Sequence, residues 1–171
     1  EDNTLRHFIA VLLLSLCFPL AVSAASLVAK VDVSSQTMTV IRYGEVIHRW
    51  PVSTARKGKY TPRGTYSPKS LSRYHKSSLY NNAPMPYSIF FRGNYAVHGT
   101  NQTSKLGRPA SAGCVRLHTA NAAKLFSLVK KHGFKNTRIV VQINHRQYPS
   151  ARSASVAALW HDGSMHVRLA A

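Results

Sequence analysis

Acidic side chains are scarce in this chain: 5 Asp+Glu stand against 23 Lys+Arg in 171 residues, a formal charge of +18. Two-carboxylate glycosidase chemistry needs a matched pair of acids, and a hard-cation site needs several, so both are disfavoured. Long apolar runs are equally rare. The one candidate, Phe8 to Val22, is fifteen uncharged residues, short of the roughly 20 that a membrane-spanning helix requires. Cysteine occurs only at Cys17 and Cys114, too few for a disulfide framework. No segment repeats. Disorder throughout is excluded as well, because 44% of the residues are hydrophobic and a disordered chain of high charge lacks such content.

The short apolar run has a context. Arg6 and His7 precede it, and Ala21-Val22-Ser23-Ala24-Ala25 follows it. This is the charged, apolar and small-residue order of a secretory signal, predicted over 1–25 with cleavage after Ala24 or Ala25. Its removal would take Glu1, Asp2, Arg6 and Cys17, leaving a net +19 and Cys114 as the sole thiol. The segment would meet a membrane only during export. An exported chain, periplasmic or held at the cell wall, is not expected to bind nucleic acid, so its charge points to an anionic wall polymer. The basic stretch Arg56 to Arg63, with Lys69 and Arg73, is the candidate docking surface.

From residue 26 the pattern is mainly short strands. Leu27 to Val33, Thr37 to Arg42 and Val46 to Val52 alternate and are rich in β-branched residues, with turns at Ser34-Ser35-Gln36 and Tyr43-Gly44-Glu45. They predict a β-meander. Ala55 to Tyr66 is punctuated by Gly58, Pro62 and Gly64 and predicts a basic loop. Ser67 to Pro86 has no clear period and predicts a long loop, functional because of its aromatics. Ser88 to Phe91 and Tyr95 to Val97 predict strands around Gly93-Asn94. One helix is expected near 119–132, with Thr119 as N-cap, an apolar face of Ala122, Leu125, Phe126, Leu128 and Val129, and Gly133 as the stop. Arg138 to Ile143 predicts a last buried strand. Residues 145–171 turn to Ala, Ser, Arg and His and predict a tail or peripheral strands.

Chemistry concentrates between Tyr95 and Leu117. His98 ends an apolar strand, and Cys114 follows Ser111-Ala112-Gly113 sixteen residues later. A thiol nucleophile needs a base to take its proton and a third group to orient that base. Gly113 lets backbone amides approach a substrate carbonyl, as an oxyanion hole requires. Arg116 can lower the thiol pKa and bind a carboxylate. On spacing alone, an inert buried cysteine beside a core histidine explains the pattern equally well.

The segment resembles the catalytic signature of the L,D-transpeptidase family with the YkuD domain: His98-Gly99-Thr100, then Ser111-Ala112-Gly113-Cys114-Val115-Arg116-Leu117. Gln36 to Thr54 resembles the opening hairpin of that family, Thr61-Pro62-Arg63-Gly64-Thr65-Tyr66 its TPxGxY element, and Met85-Pro86-Tyr87 its substrate-side strand. The resemblance spans residues 26–144. Members commonly carry a histidine directly before the Gly-Cys pair; here that position is Ala112.

The resemblance implies a mainly β, sandwich- or barrel-like YkuD fold with one principal helix. It also implies an acyl transfer on peptidoglycan tetrapeptide stems. Cys114 would be the nucleophile, His98 the general base and acid, the Gly99 carbonyl the group orienting His98, and the Gly113 amide an oxyanion donor. Ser111 and Arg116 would shape the site, and Tyr74, His75, Tyr80, Met85 and Tyr87 would wall the substrate groove. The acceptor would be an amine of another stem or of a cell-envelope protein, or water in a carboxypeptidase. No metal or cofactor is expected: His161 and His166 have no partner cysteine, and thiol acyl transfer needs no ion. The rivals are a non-catalytic basic wall-binding module and an NlpC/P60-like thiol peptidase. The second places Cys before His, opposite to the order here.

Overall fold

The computed structural model of the protein describes residues 25–144. The signal and tail expected at 1–24 and 145–171 lie outside the described residues. The described residues open with three antiparallel strands, β1 (Leu27–Asp32), β2 (Thr37–Arg42) and β3 (Glu45–Pro51). A short β4 (Gly64–Tyr66) follows, then β5 (Ser70–Lys76), β6 (Pro84–Arg92) and β7 (Tyr95–Thr100). A single 3-10 turn (Thr103–Lys105) leads toward β8 (Val115–His118), the helix α1 (Thr119–His132) and the last strand β9 (Thr137–Gln142).

Two sheets result. One has the order β3-β2-β1-β9-β4, the other β5-β6-β7-β8. The mainly β architecture with one principal helix is the expected fold class. The first sheet closes on itself in sequence: β1 pairs in parallel with β9, Leu27 opposite Thr137. In the second sheet β5, β6 and β7 are antiparallel, while β7 and β8 run parallel. A parallel pair requires a crossover between its strands, and that crossover carries residues 101–114.

Alternation explains the first sheet. Leu27, Ala29 and Val31 of β1 and Ile139 and Val141 of β9 are buried, with their odd-numbered spacing turned to one face. Met38, Val40, Trp50 and Val52 extend that face, and Ile89, Phe91, Val97, Val115 and Leu117 meet it from the second sheet. Helix α1 presses Ala122, Leu125 and Val129 into the same core. Gly133 ends it with φ +79°, a left-handed value that favours glycine, and its N–H reaches the Val129 carbonyl.

Three expectations need correction. Ser67 to Pro86 is not a long loop: most of it forms β5 and the start of β6. Its period was hidden because β5 buries no residue, and because Pro84 and Pro86 lack the N–H a central strand needs. They are tolerated here because the β6–β7 pairing covers only the end of β6, from Ile89 onward. Tyr66 and its neighbours also form the three-residue β4 along β9. The helix N-cap is His118, whose Nδ1 accepts the Ala120 N–H at 3.3 Å. Thr119 is already helical, and its hydroxyl donates instead to the Thr100 carbonyl at 3.3 Å.

Candidate active site

The β7–β8 pair sets His98 opposite Arg116 in register, while Val97 and Val115 face the core. Side chains two apart on a strand share a face. His98, Cys114 and Arg116 therefore lie on the face that the hydrophobic core does not use, and all three line one cavity of about 550 Å3.

His98 is buried at 6% exposure. Its Nδ1 lies 2.8 Å from the Gly99 carbonyl oxygen. A carbonyl can only accept, so Nδ1 carries the proton and donates it, leaving Nε2 as the basic nitrogen. This is the orienting contact expected of Gly99. Gly99 is glycine for a second reason: an added Cβ would sit 3.0 Å from the Thr119 Cα and 3.1 Å from the Pro86 ring. Burial pushes the His98 imidazole down to about 4; the Gly99 carbonyl opposes this, and the nearby charges of Arg116 and His75 add to it. At neutral pH the group is a neutral base.

Cys114 is partly buried, with Sγ 3.7 Å from the Asn94 carbonyl oxygen. Burial pushes its thiol above the ordinary value, opposed by a backbone hydrogen bond from Ala96 and by the charge of Arg116. The resting pair is thus neutral thiol and neutral imidazole.

The turn before Cys114 is lashed down from two sides. Ser111 is fully buried. Its hydroxyl accepts the Gly113 N–H at 3.0 Å and donates to the Cys114 carbonyl at 2.6 Å. Its backbone N–H donates to the Thr54 carbonyl at 2.8 Å, and its own carbonyl accepts the Arg56 N–H at 2.9 Å. The Thr61 hydroxyl donates to the Gly113 carbonyl at 2.8 Å. Gly113 has φ +142°, and a Cβ there would meet the Tyr95 ring at 2.6 Å and the Tyr60 carbonyl at 2.9 Å. Only glycine fits.

These contacts revise two expected roles. The Gly113 amide points to Ser111 Oγ, so it is not a free oxyanion donor. Ser111 lines the cavity, but its hydroxyl is spent holding the turn and acts as a positioning group. Of the expected groove residues, His75, Tyr80 and Met85 line the cavity, whereas Tyr74 and Tyr87 do not. Tyr74 is 81% exposed. Tyr87 sits at φ +55° where the β5–β6 register skips a pair, and its ring stacks edge-on against Phe126 of α1 at 5.8 Å. Left-handed backbone at a non-glycine residue turns the side chain out of the strand's alternation. Arg73 lies 5.6 Å from the centroids of both tyrosine rings, on the outer surface.

Thr61 and Tyr95 also support the turn before Cys114, a part that was not expected of them. Thr61 opens the TPxGxY element, which was the available signal for it. Arg56, expected only as part of a docking surface, lines the cavity beside Arg116. A shallow depression of about 640 Å3 between the β2–β3 hairpin and α1 contains neither cysteine nor carboxylate. Among the described residues no group of three or more His, Cys, Asp or Glu is placed to hold a metal ion.

Residues 26–143 match the model of the YkuD family, the L,D-transpeptidase catalytic domain. A candidate L,D-transpeptidase of Bacillus subtilis, YkuD, is 24% identical over 103 residues, which is 58% of each chain. The chain thus spans little more than half the length of that curated relative. An L,D-transpeptidase from Xylanimonas cellulosilytica superposes with a TM-score of 0.59 at 26% identity, covering 78% of this chain and 68% of that one. L,D-transpeptidase 3 of Mycobacterium tuberculosis, solved with a faropenem-derived adduct, gives 0.59 at 21% identity over 68% of this chain and 60% of that one. At that identity the likeness speaks for the fold alone.

Proposed function

The chain belongs to the L,D-transpeptidase catalytic-domain family, and on that premise we propose that it is a cysteine acyltransferase acting on peptidoglycan tetrapeptide stems. The observation that carries the proposal is the tautomer of His98. With Nδ1–H donated to the Gly99 carbonyl, Nε2 is left as a base on the same cavity face as Cys114.

In the first half-reaction His98 Nε2 takes the thiol proton as Cys114 Sγ attacks the carbonyl after the diamino acid at position three. The resulting imidazolium protonates the departing D-Ala amine, so the C–N bond breaks and a thioester remains. In the second, an amine loses its proton to His98 and attacks the thioester; a new amide forms and the thiol is restored. Water in place of the amine gives carboxypeptidase activity by the same route. The developing oxyanion is met by the Cys114 amide, since the Gly113 amide is engaged by Ser111. Burial that raises the thiol pKa and lowers that of the imidazole keeps the nucleophile protected until substrate arrives. Arg116 partly offsets that burial at the thiol. Export by a signal such as 1–25 predicts would put this activity at the periplasm or wall, where the excess of bases would meet anionic polymer.

The test is incubation of the purified protein with a tetrapeptide donor and an amine acceptor, followed by mass spectrometry. Release of D-Ala and a thioester mass on Cys114 are expected, with acylation by a penem as a second readout. A protein that releases no D-Ala and takes up no penem would overturn the proposal.

A further inference from the structure

The cavity presents two guanidinium groups and no carboxylate. Arg116 stands next to the thiol, half-buried, and its Nη1 donates to the neutral Gln102 Oε1 at 3.2 Å. Arg56 enters from the opposite segment, and its backbone is fixed there. Its N–H donates to the Ser111 carbonyl at 2.9 Å, and bridges join Ser53 to Arg116 and Ala55 to Ser111 on either side. His75 and His98 are the other titratable nitrogen groups lining the space.

Among the described residues nothing acidic compensates them. Residues 25–144 contain only two carboxylates, Asp32 and Glu45. Asp32 belongs to the β1–β2 turn, where it accepts from Ser34 and Ser35. Glu45 opens β3 opposite Arg42. Neither lines the cavity. Arg56 acts on Arg116 as a like charge, adding to the burial that weakens its hold on its proton. Arg116 is half-buried and Arg56 is exposed at the mouth of the cavity. A like charge beside a partly desolvated guanidinium favours an anionic ligand, and no carboxylate among the described residues supplies that charge. The guanidinium fork matches a carboxylate in geometry and charge.

We propose that Arg56 and Arg116 together form a carboxylate site beside Cys114, and that Arg56 makes the enzyme select substrates bearing a free carboxylate over the corresponding carboxamide. The inference rests on the acyl-transfer reading and names its substrate class. The carboxylate belongs either to the diamino acid of the donor stem or to the amino acid that serves as acceptor.

The experiment compares paired substrates on the purified protein and on Arg56→Gln, with melting temperature as a check on folding. In one arm the donor tetrapeptide carries its diamino-acid carboxylate free or as the amide. In the other the donor is fixed and the acceptor is D-alanine or D-alaninamide. A charge-assisted hydrogen bond is worth about 10- to 100-fold, so the preference for carboxylate in one arm should fall by that factor in Arg56→Gln. Arg56→Lys should restore part of it. The arm that responds assigns the carboxylate to donor or acceptor. Equal use of both members of each pair by the original protein, or preferences unchanged in Arg56→Gln, would overturn the proposal. Calorimetry of the Cys114→Ala protein with the paired donors and with the paired acceptors reads the same ratios as affinities. That arm stands even if no substrate is turned over, an outcome that would remove the acyl-transfer reading alone.

Discussion

In the five-stranded sheet, β1 and β9 alternate between buried and more exposed positions along their length, whereas β7 in the four-stranded sheet is buried at every residue from Ala96 to Thr100. The first pattern is that of a sheet with one face on the core and one toward solvent. The second arises because β7 has a core on one face and a covered cavity on the other. One sheet contributes mostly stability. The other spends its second face on a histidine and a neighbouring thiol that burial holds in their neutral forms.

Separating these two duties by mutation gives the largest expected effects. Cys114→Ala, on the cavity face, should lower D-Ala release by at least about 1,000-fold, with an unchanged circular dichroism spectrum. His98→Gln should lower it by about 100- to 10,000-fold. A loss of fold in either variant would show that the cavity face also carries the structure. Ile139→Ala in β9 should do the reverse. It should cost about 2–5 kcal/mol in denaturant unfolding, while the turnover of the remaining folded protein stays within about twofold, as expected for a site without contact to the change.

Between these extremes, pH can reveal the burial of the cavity face. His98 has a folded pKa of about 4 against an ordinary 6.5. The unfolded chain therefore binds the proton more readily, and stability falls as pH drops through that window. The loss should approach about 3 kcal/mol between pH 6.5 and 4, and His98→Gln should remove it from the urea unfolding series. For Cys114 the raised thiol pKa predicts that iodoacetamide alkylation keeps accelerating above the pH at which an ordinary thiol levels off. A plateau by neutral pH would mean that a thiolate is already formed. The smallest effect belongs to the outer surface. Tyr74→Ser should change stability by under about 0.5 kcal/mol and leave donor turnover as it was.

The same contrast decides what could be read from the sequence. β1, β2, β9 and α1 were legible because each buries one face, so period 2 or 3.6 is written in their residues. β3, of which only Trp50 is buried, was legible as the return from the tight turn at Tyr43-Gly44. The helix face of Ala122, Leu125 and Val129 is an instance. β5 was illegible because it buries nothing, and the start of β6 because two prolines mask an edge-like segment. In the site, His98, Gly99 and Cys114 were legible through local motifs. Arg56 and Thr61 were not assigned to the site, because their closeness to Ser111 and Gly113 is made by hydrogen bonds across some fifty residues. Tyr87 was misplaced because a single left-handed residue turned it toward Phe126.

The parallel pairing of β1 with β9 has a consequence in time. The first described strand, central in its sheet, can gain its second neighbour only after residue 142 has been made, because Leu27 to Asp32 align with Thr137 to Gln142. Pairings this distant in sequence are slow to close, since the intervening chain must be ordered first. The partly assembled chain waits with β1 unpaired on that side, a strand edge open to other chains. Refolding from denaturant should therefore be limited by this last closure and grow more aggregation-prone as protein concentration rises.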